Sequence, residues 1–299
     1  MTRDPVLQRL LTSVPQLAER PVASWQARPL VGMTNRIWRV TAGDADFVLR
    51  APGASSQRYL SRAQEFHNAA VAAGLGIAPA LLYADPETGV TLQPFLAEAR
   101  TLTPDDFNTP EIARKIGALL ARLHRSGGEF QGTMRAFPMI DTYLGLAADD
   151  RLRDLRRRAE PIRAVLEAHP VDFVPSHIDP NPANFLLGSD GRLHLIDWEY
   201  SAMCEPAWDI AAVGMESRMD AAAQAAFAEG YGAMPDTSRL WLMRAALHLV
   251  AGSWTYAEIA GGNPAEGLDA LLERFLGGLE RMLDDPELGR HLAAMESAV

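Results

Sequence analysis

The apolar positions of this chain follow two rhythms, and the change between them falls near residue 95. Val6, Leu7, Leu10, Leu11, Val14 and Leu17 recur at three- to four-residue spacing, which predicts a packing helix over residues 4–19. Short apolar runs follow at 25–31, 36–41 and 47–50, and again at 80–84 and 89–94. Gly32-Met33-Thr34-Asn35 and Gly43-Asp44-Ala45-Asp46 separate the first three, so an antiparallel sheet near the N-terminus is predicted. A helix over about residues 57–73 interrupts these strands and ends at Gly74-Leu75-Gly76.

Past residue 100 the period is helical. Thr103-Pro104-Asp105-Asp106 carries an N-cap, a proline in the first helical position and acids in the first turn. Ile112, Ile116, Leu119, Leu120 and Leu123 mark one face of a helix over 110–125, with His124 near its end as an expected structural residue. Residues 149–168 mix Asp and Arg as an exposed helical face does. Further helices are predicted at 219–230, 238–260 and 265–283, with a shorter one near the end. On the second of these, Leu240, Met243, Leu247, Val250 and Trp254 share a face, so Trp254 has a packing explanation. The predicted class is α+β: residues 1–95 form a sheet lobe and residues 96–299 a larger, mainly helical lobe.

Composition narrows the function classes. The 299 residues are 48% hydrophobic, enough for one large domain or two lobes. The formal net charge of −10 argues against a nucleic-acid or anionic-membrane partner. No apolar run is long enough to span a bilayer, and the first ten residues mix charges as secretory signals do not. Cys204 is the only cysteine, which with the missing signal fits a cytoplasmic protein. Lys115 is the only lysine, so a phosphate would be gripped by arginine.

The chemistry concentrates in residues 174–216. His177-x-Asp179 is followed by Asn184, and Ile196-Asp197-Trp198-Glu199 comes after a hairpin signal. That signal is Phe185-Leu186-Leu187, the turn residues 188–191, then Leu193, Leu195 and Ile196. The hairpin returns Asp197 toward Asp179 and Asn184. Two carboxylates and an amide make hard oxygen donors suited to Mg²⁺. Kinase catalytic loops use such a set, one Asp for the acceptor hydroxyl and an Asn and a second Asp for metal.

HxDxxxxN followed by IDWEY and a WDI run resembles the choline and ethanolamine kinases, within the aminoglycoside-phosphotransferase group that shares the protein-kinase-like fold. Fainter matches extend from about residue 30 to about residue 260. The resemblance implies ATP and Mg²⁺ as cofactors, Asp179 as the catalytic residue and a contact of the substrate hydroxyl, and Asn184 and Asp197 as metal ligands. It implies a phosphate lid at Gly32, Thr34 and Asn35, an arginine clamp at Arg50 backed by Glu65, and adenine contacts near Gln93 and Phe95. An exposed Arg62–Glu65 pair at i,i+3 is the alternative use of Glu65. Asp209 is expected to anchor the catalytic loop and His177 to orient it. Glu199 is left between water-mediated metal binding and bracing the loop.

For the acceptor, the resemblance places Glu216 against a cationic head group and Trp254 on its aromatic side, with Tyr256, Trp208 and Tyr231 as further rings. Ala251 stands where a paired tryptophan is expected, which weakens choline specificity. The leading expectation is a kinase of a small alcohol, choline or ethanolamine. The alternatives are an aminoglycoside, sugar or thiamine kinase of the same fold, and a nucleotide-binding module without catalysis.

Overall fold

A computed structural model describes residues 4–19, 24–30, 35–53, 61–217 and 219–297. The predicted first helix is two pieces, α1 (Pro5–Ser13) and α2 (Pro15–Ala18). Pro15 lacks an N–H and holds Val14 extended, so the helix breaks between them. Leu7, Leu11, Val14 and Leu17 still pack together, against Trp38, Val40, Leu49 and Leu92 of the sheet. That sheet is antiparallel throughout. It comprises β1 (Gln26–Leu30), β2 (Asn35–Ala42), β3 (Ala45–Pro52), β4 (Tyr83–Asp85) and β5 (Val90–Pro94), in the order β1-β2-β3-β5-β4. Between β3 and β4 runs α3 (Arg62–Gly74), whose N-cap Ser61 accepts a hydrogen bond from the Gln64 N–H. The predicted start of this helix at residue 57 lies outside the described residues.

After β5 the chain makes β6 (Arg100–Thr101) and a single 3₁₀ segment at Pro104–Asn108, closed by the capping box of Thr103 and Asp106. Then comes α4 (Pro110–His124). Next are α5 (Ala136–Leu146), α6 (Asp150–Arg158) and α7 (Glu160–Ala168). The hairpin predicted from sequence is β8 (Phe185–Leu187) with β9 (Leu193–Leu195), joined on its outer side by β6. It is framed by β7 (Val174–Ser176) and β10 (Ala202–Cys204), which pair with each other. The chain closes with α8 (Pro206–Glu216), α9 (Ala221–Tyr231), α10 (Thr237–Ala260), α11 (Leu268–Leu283) and α12 (Glu287–Glu296).

Two packings position the site. α4 and α9 approach backbone to backbone at Gly117 and Gly230. A Cβ there would lie 2.2 Å from the Phe227 carbonyl oxygen and 2.1 Å from that of Arg114, respectively. This contact brings His124 onto Tyr231. The second packing centres on α10, buried among α5, α8 and α11. α5 has no counterpart among the predicted elements. Pro138 and Gly145 break up its pattern, yet Phe137, Ile140 and Tyr143 all join the helical core. Among the described residues no helix is long and apolar enough to cross a membrane.

Candidate active site

The loop from His177 to Asn184 leaves β7 with strained backbone. Ile178 has φ 75°, a left-handed value that costs a β-branched residue about 1–3 kcal/mol. Bonds on both sides hold it there. Asp209, fully buried in the first turn of α8, accepts the Ile178 N–H at 2.8 Å and the His177 N–H at 2.8 Å. The Trp208 indole N–H donates to the Ile178 carbonyl oxygen at 2.8 Å. His124 reaches Asp209 at 3.1 Å and the Tyr231 hydroxyl at 2.9 Å. Burial works against a charged Asp209, but the His124 bond, the charges of His124 and His177 and the backbone donor at His177 outweigh it and lower its pKa. Tyr231 is therefore committed to the loop anchor. His177 donates through Nε2 to the Ile196 carbonyl oxygen at 2.9 Å and packs edge-on to Trp198. It thereby joins the loop to the strand end that carries Asp197, and burial keeps its pKa low.

Asp179 is half-buried on the cleft wall and held from two sides. Asn181 Nδ2 donates to both of its carboxylate oxygens at 3.0 Å. Asn184 Nδ2 donates to its backbone carbonyl at 2.9 Å and to Oδ2 at 3.1 Å. Asn181 was not singled out from sequence. It also caps the one-turn segment Pro182–Asn184 through the Ala183 N–H, so the two amides close on the carboxylate together. Burial raises the Asp179 pKa to about 7. The Asn181 hydrogen bond opposes the rise, and Asp197, Glu216 and Glu199 add to it.

Facing it is a network that crosses between the lobes. Arg50, on β3, bonds Glu65 of α3 through one guanidinium nitrogen and Asp197 through the other, the latter at 3.1 Å. Arg62 bonds Glu65 at 2.6 Å and continues to Glu199 at 3.4 Å. Both expected uses of Glu65 thus occur at once, and the Arg62 pair is buried rather than exposed, with Glu65 only 3% open. Asn35 Nδ2 also reaches Glu199 at 3.4 Å. Glu199 is tied to the sheet lobe, and burial with the nearby Asp197 charge raises its pKa to about 7. Asp197 has φ 64° and keeps 35% of its side-chain surface open, although protein atoms crowd it elsewhere. Burial raises its pKa against the pull of Arg50. α3 itself is pinned to the helical lobe by fully buried Asn68. That side chain donates to the carbonyl oxygens of Gln131 and Ser201 and accepts the Gln131 N–H.

A cavity of about 1090 Å³ lies between the lobes and collects most of the residues named from sequence. Asn35, Arg50, Glu65, Gln93, Phe95, Asp179, Asn184, Asp197, Glu216 and Trp254 all line it. Gly32 and Thr34 lie outside the described residues. The Phe95 N–H is spent on the Asp46 carbonyl oxygen at 2.9 Å and its ring lies under Arg39, so Phe95 offers the cavity a side chain and no backbone donor. Tyr256, expected as a further ring, is not among the residues that line the cavity and packs against the helical core, as Trp254 also does. Two residues along a helix turn the side chain by about 200°, so Tyr256 cannot share the direction of Trp254. Tyr200 and Trp208, also on the wall, are the other rings nearby.

Among the described residues no three His, Cys, Asp or Glu side chains converge as a metal cage. Asp197 and Asn184 both line the cavity, and a carboxylate with an amide oxygen is a donor set that fits Mg²⁺, which takes one or two protein oxygens and leaves its other positions to phosphate and water.

A sheet lobe, a helical lobe and an acidic cleft between them define a two-lobed phosphotransferase of the protein-kinase-like kind. Residues 26–244 match the phosphotransferase enzyme family, and the chain belongs to that family. It is similar to the choline/ethanolamine kinase family protein of Mesorhizobium loti, a solved structure 30% identical with a TM-score of 0.84. That match covers 98% of this chain and 99% of the other. The choline kinase LicA of Streptococcus pneumoniae shares the fold at 23% identity and a TM-score of 0.81, over 92% of this chain and 98% of that one. Protein LicA of Haemophilus influenzae is 32% identical over 196 residues, 63% of this chain and 57% of that protein. The match thus spans little more than half of that relative's length.

Proposed function

We propose that this phosphotransferase moves the γ-phosphoryl group of ATP, with Mg²⁺, to the hydroxyl of a small amino alcohol of the choline or ethanolamine class. One observation carries the reading: Asp179, gripped by Asn181 and Asn184, faces the Arg50–Asp197 pair across one cavity. Asp179 orients the acceptor hydroxyl in line with the transferring group and accepts its proton. Held by two amides, its carboxylate has little rotation left to lose on binding. Asn184 and Asp197 hold the metal, which when bound offsets charge on the phosphates. Arg50, backed by Glu65, presents its planar fork to the nucleotide. Gln93 and Phe95 flank the adenine. Glu216 and Trp254 receive the cationic head group. The names of the similar proteins, choline and ethanolamine kinases, support the acceptor class.

A bulkier hydroxylated acceptor is the second reading. Its support is the wall beside Glu216, largely apolar at Met139, Tyr143, Leu247 and Val250, which offers a small acceptor few polar contacts. Release of ADP, measured against a panel of choline, ethanolamine, thiamine and an aminoglycoside, tests both. The first reading expects the amines to be the best substrates. Turnover confined to the aminoglycoside would replace it with the second, and no turnover on any member would overturn both.

A further inference from the structure

At the acceptor end of the cavity, Glu216 already has a cation. Arg274, on α11, donates from Nη2 to Glu216 Oε2 at 2.7 Å. Its guanidinium lies 5.0 Å from the centre of the Phe275 ring. Glu216, Arg274 and Phe275 line the cavity beside Trp254. Among the described residues, Arg50 and Arg274 are the basic residues of that lining, and Arg50 belongs to the phosphate end. A carboxylate and an aromatic face are what a quaternary ammonium requires, and Arg274 occupies one of each. It holds them on better terms, because a guanidinium donates hydrogen bonds to a carboxylate and a quaternary ammonium has no N–H to donate. Arg274 is also built to leave. Its side chain is 46% exposed, whereas that of Glu216 is 19% exposed.

We propose that Arg274 determines acceptor specificity as a built-in competitor: it fills the head-group position on Glu216, and a cationic alcohol binds by displacing it. This rests on the amino-alcohol reading above and adds a residue that disfavours the purely cationic acceptor. The discrimination has a ceiling. A half-exposed ion pair contributes little more than a few-fold in an equilibrium constant, so Arg274 tunes affinity for the head group and does not abolish it.

The test compares choline with 3,3-dimethylbutan-1-ol, an alcohol of the same shape in which carbon replaces the charged nitrogen. kcat/KM for each is measured with the wild type, Arg274→Gln and Arg274→Lys, together with the KM for ATP. Arg274→Gln is expected to raise the choline-to-isostere ratio by about fivefold, carried by a lower KM for choline. Arg274→Lys keeps the charge and is expected to keep the ratio near the wild-type value. A ratio that is unchanged or lower in Arg274→Gln overturns the competitor role and leaves the amino-alcohol reading standing. A change in ATP KM as large as the change in choline KM also overturns it, since the effect would then be general. Turnover of neither alcohol by any of the three proteins overturns the role of Arg274, and if ethanolamine is not turned over either, the amino-alcohol reading with it.

Discussion

The two ends of the cleft are built on different terms. At the phosphate end, Arg50, Arg62, Glu65, Asp197 and Glu199 form one chain of ion pairs, and Glu65 is held by two arginines at once. Asn68 and Asp209 fasten the flanking elements from buried positions with several hydrogen bonds each. At the acceptor end, one half-exposed arginine meets one carboxylate, and the remaining wall is largely apolar: Met139, Tyr143, Leu247, Val250 and Trp254. On the proposed function, the Arg50–Asp197 end is preorganised for the nucleotide, a group common to every turnover. The end at Glu216 has few fixed contacts, so on the proposed role of Arg274 a single side chain there decides what fits.

That contrast predicts unequal responses to mutation. The largest belongs to Asp179→Ala, which should lower kcat by about 10²–10⁴-fold, the scale of a positioned proton acceptor. Its melting temperature should hold near the wild-type value, since the side chain faces the cleft. Next comes Arg50→Lys. A lysine cannot bridge Glu65 and Asp197 with two nitrogens. The KM for ATP should rise about tenfold or more, as expected for loss of a charge-assisted bond of ~1.5–3 kcal/mol. Steady-state kinetics with ATP varied checks this, and an unchanged KM would return Arg50 to a structural role.

A third change probes the rigidity of the phosphate end without touching the cleft. Asn68→Ala leaves the Gln131 N–H and the Gln131 carbonyl oxygen without this partner, while the Ser201 carbonyl oxygen keeps its bond from Gln64. Unfolding in urea should show a loss of about 1–3 kcal/mol, the cost of an unsatisfied buried polar group. Because α3 also carries Glu65, the KM for ATP should rise with it, while the KM for the acceptor should move less. Equal movement of both constants would dissolve the distinction between the two ends. The smallest effect is that of Trp254→Leu. Losing one aromatic face costs ~0.5–2 kcal/mol of cation binding, a few-fold to about thirtyfold in acceptor KM, with ATP spared. A fall in melting temperature with unchanged acceptor KM would assign Trp254 to packing alone.

The same division separates what the sequence revealed from what it concealed. The loop motif and IDWE lie within about two dozen residues of each other, with turn chemistry that announces a hairpin, so their convergence was legible from spacing. The alternating strands of the sheet lobe were legible for a similar local reason, and so was α4 from its one apolar face. Arg62 and Asn68 were hidden because their decisive partners are remote: 137 residues separate Arg62 from Glu199, and 133 separate Asn68 from Ser201. Arg274 and Glu216, 58 residues apart, share no local signal either. Tyr256, expected as a further ring for the head group, lies two residues from Trp254 on α10, and helical rotation turns it to another side. α5 was concealed by a proline and a glycine inside a helix that tertiary packing nevertheless stabilises.

In the proposed function, Asp179 positions an alcohol for direct attack on the γ-phosphate. Phosphorus NMR of ATP, Mg²⁺ and choline, incubated with the wild type or with Asp179→Asn, tests it most directly. ATP affinity of the two proteins is measured alongside. The wild type is expected to give equal amounts of ADP and a phosphomonoester. The variant is expected to form both at least about a hundredfold more slowly, with ATP still bound. Phosphomonoester formed by Asp179→Asn at the wild-type rate would contradict it.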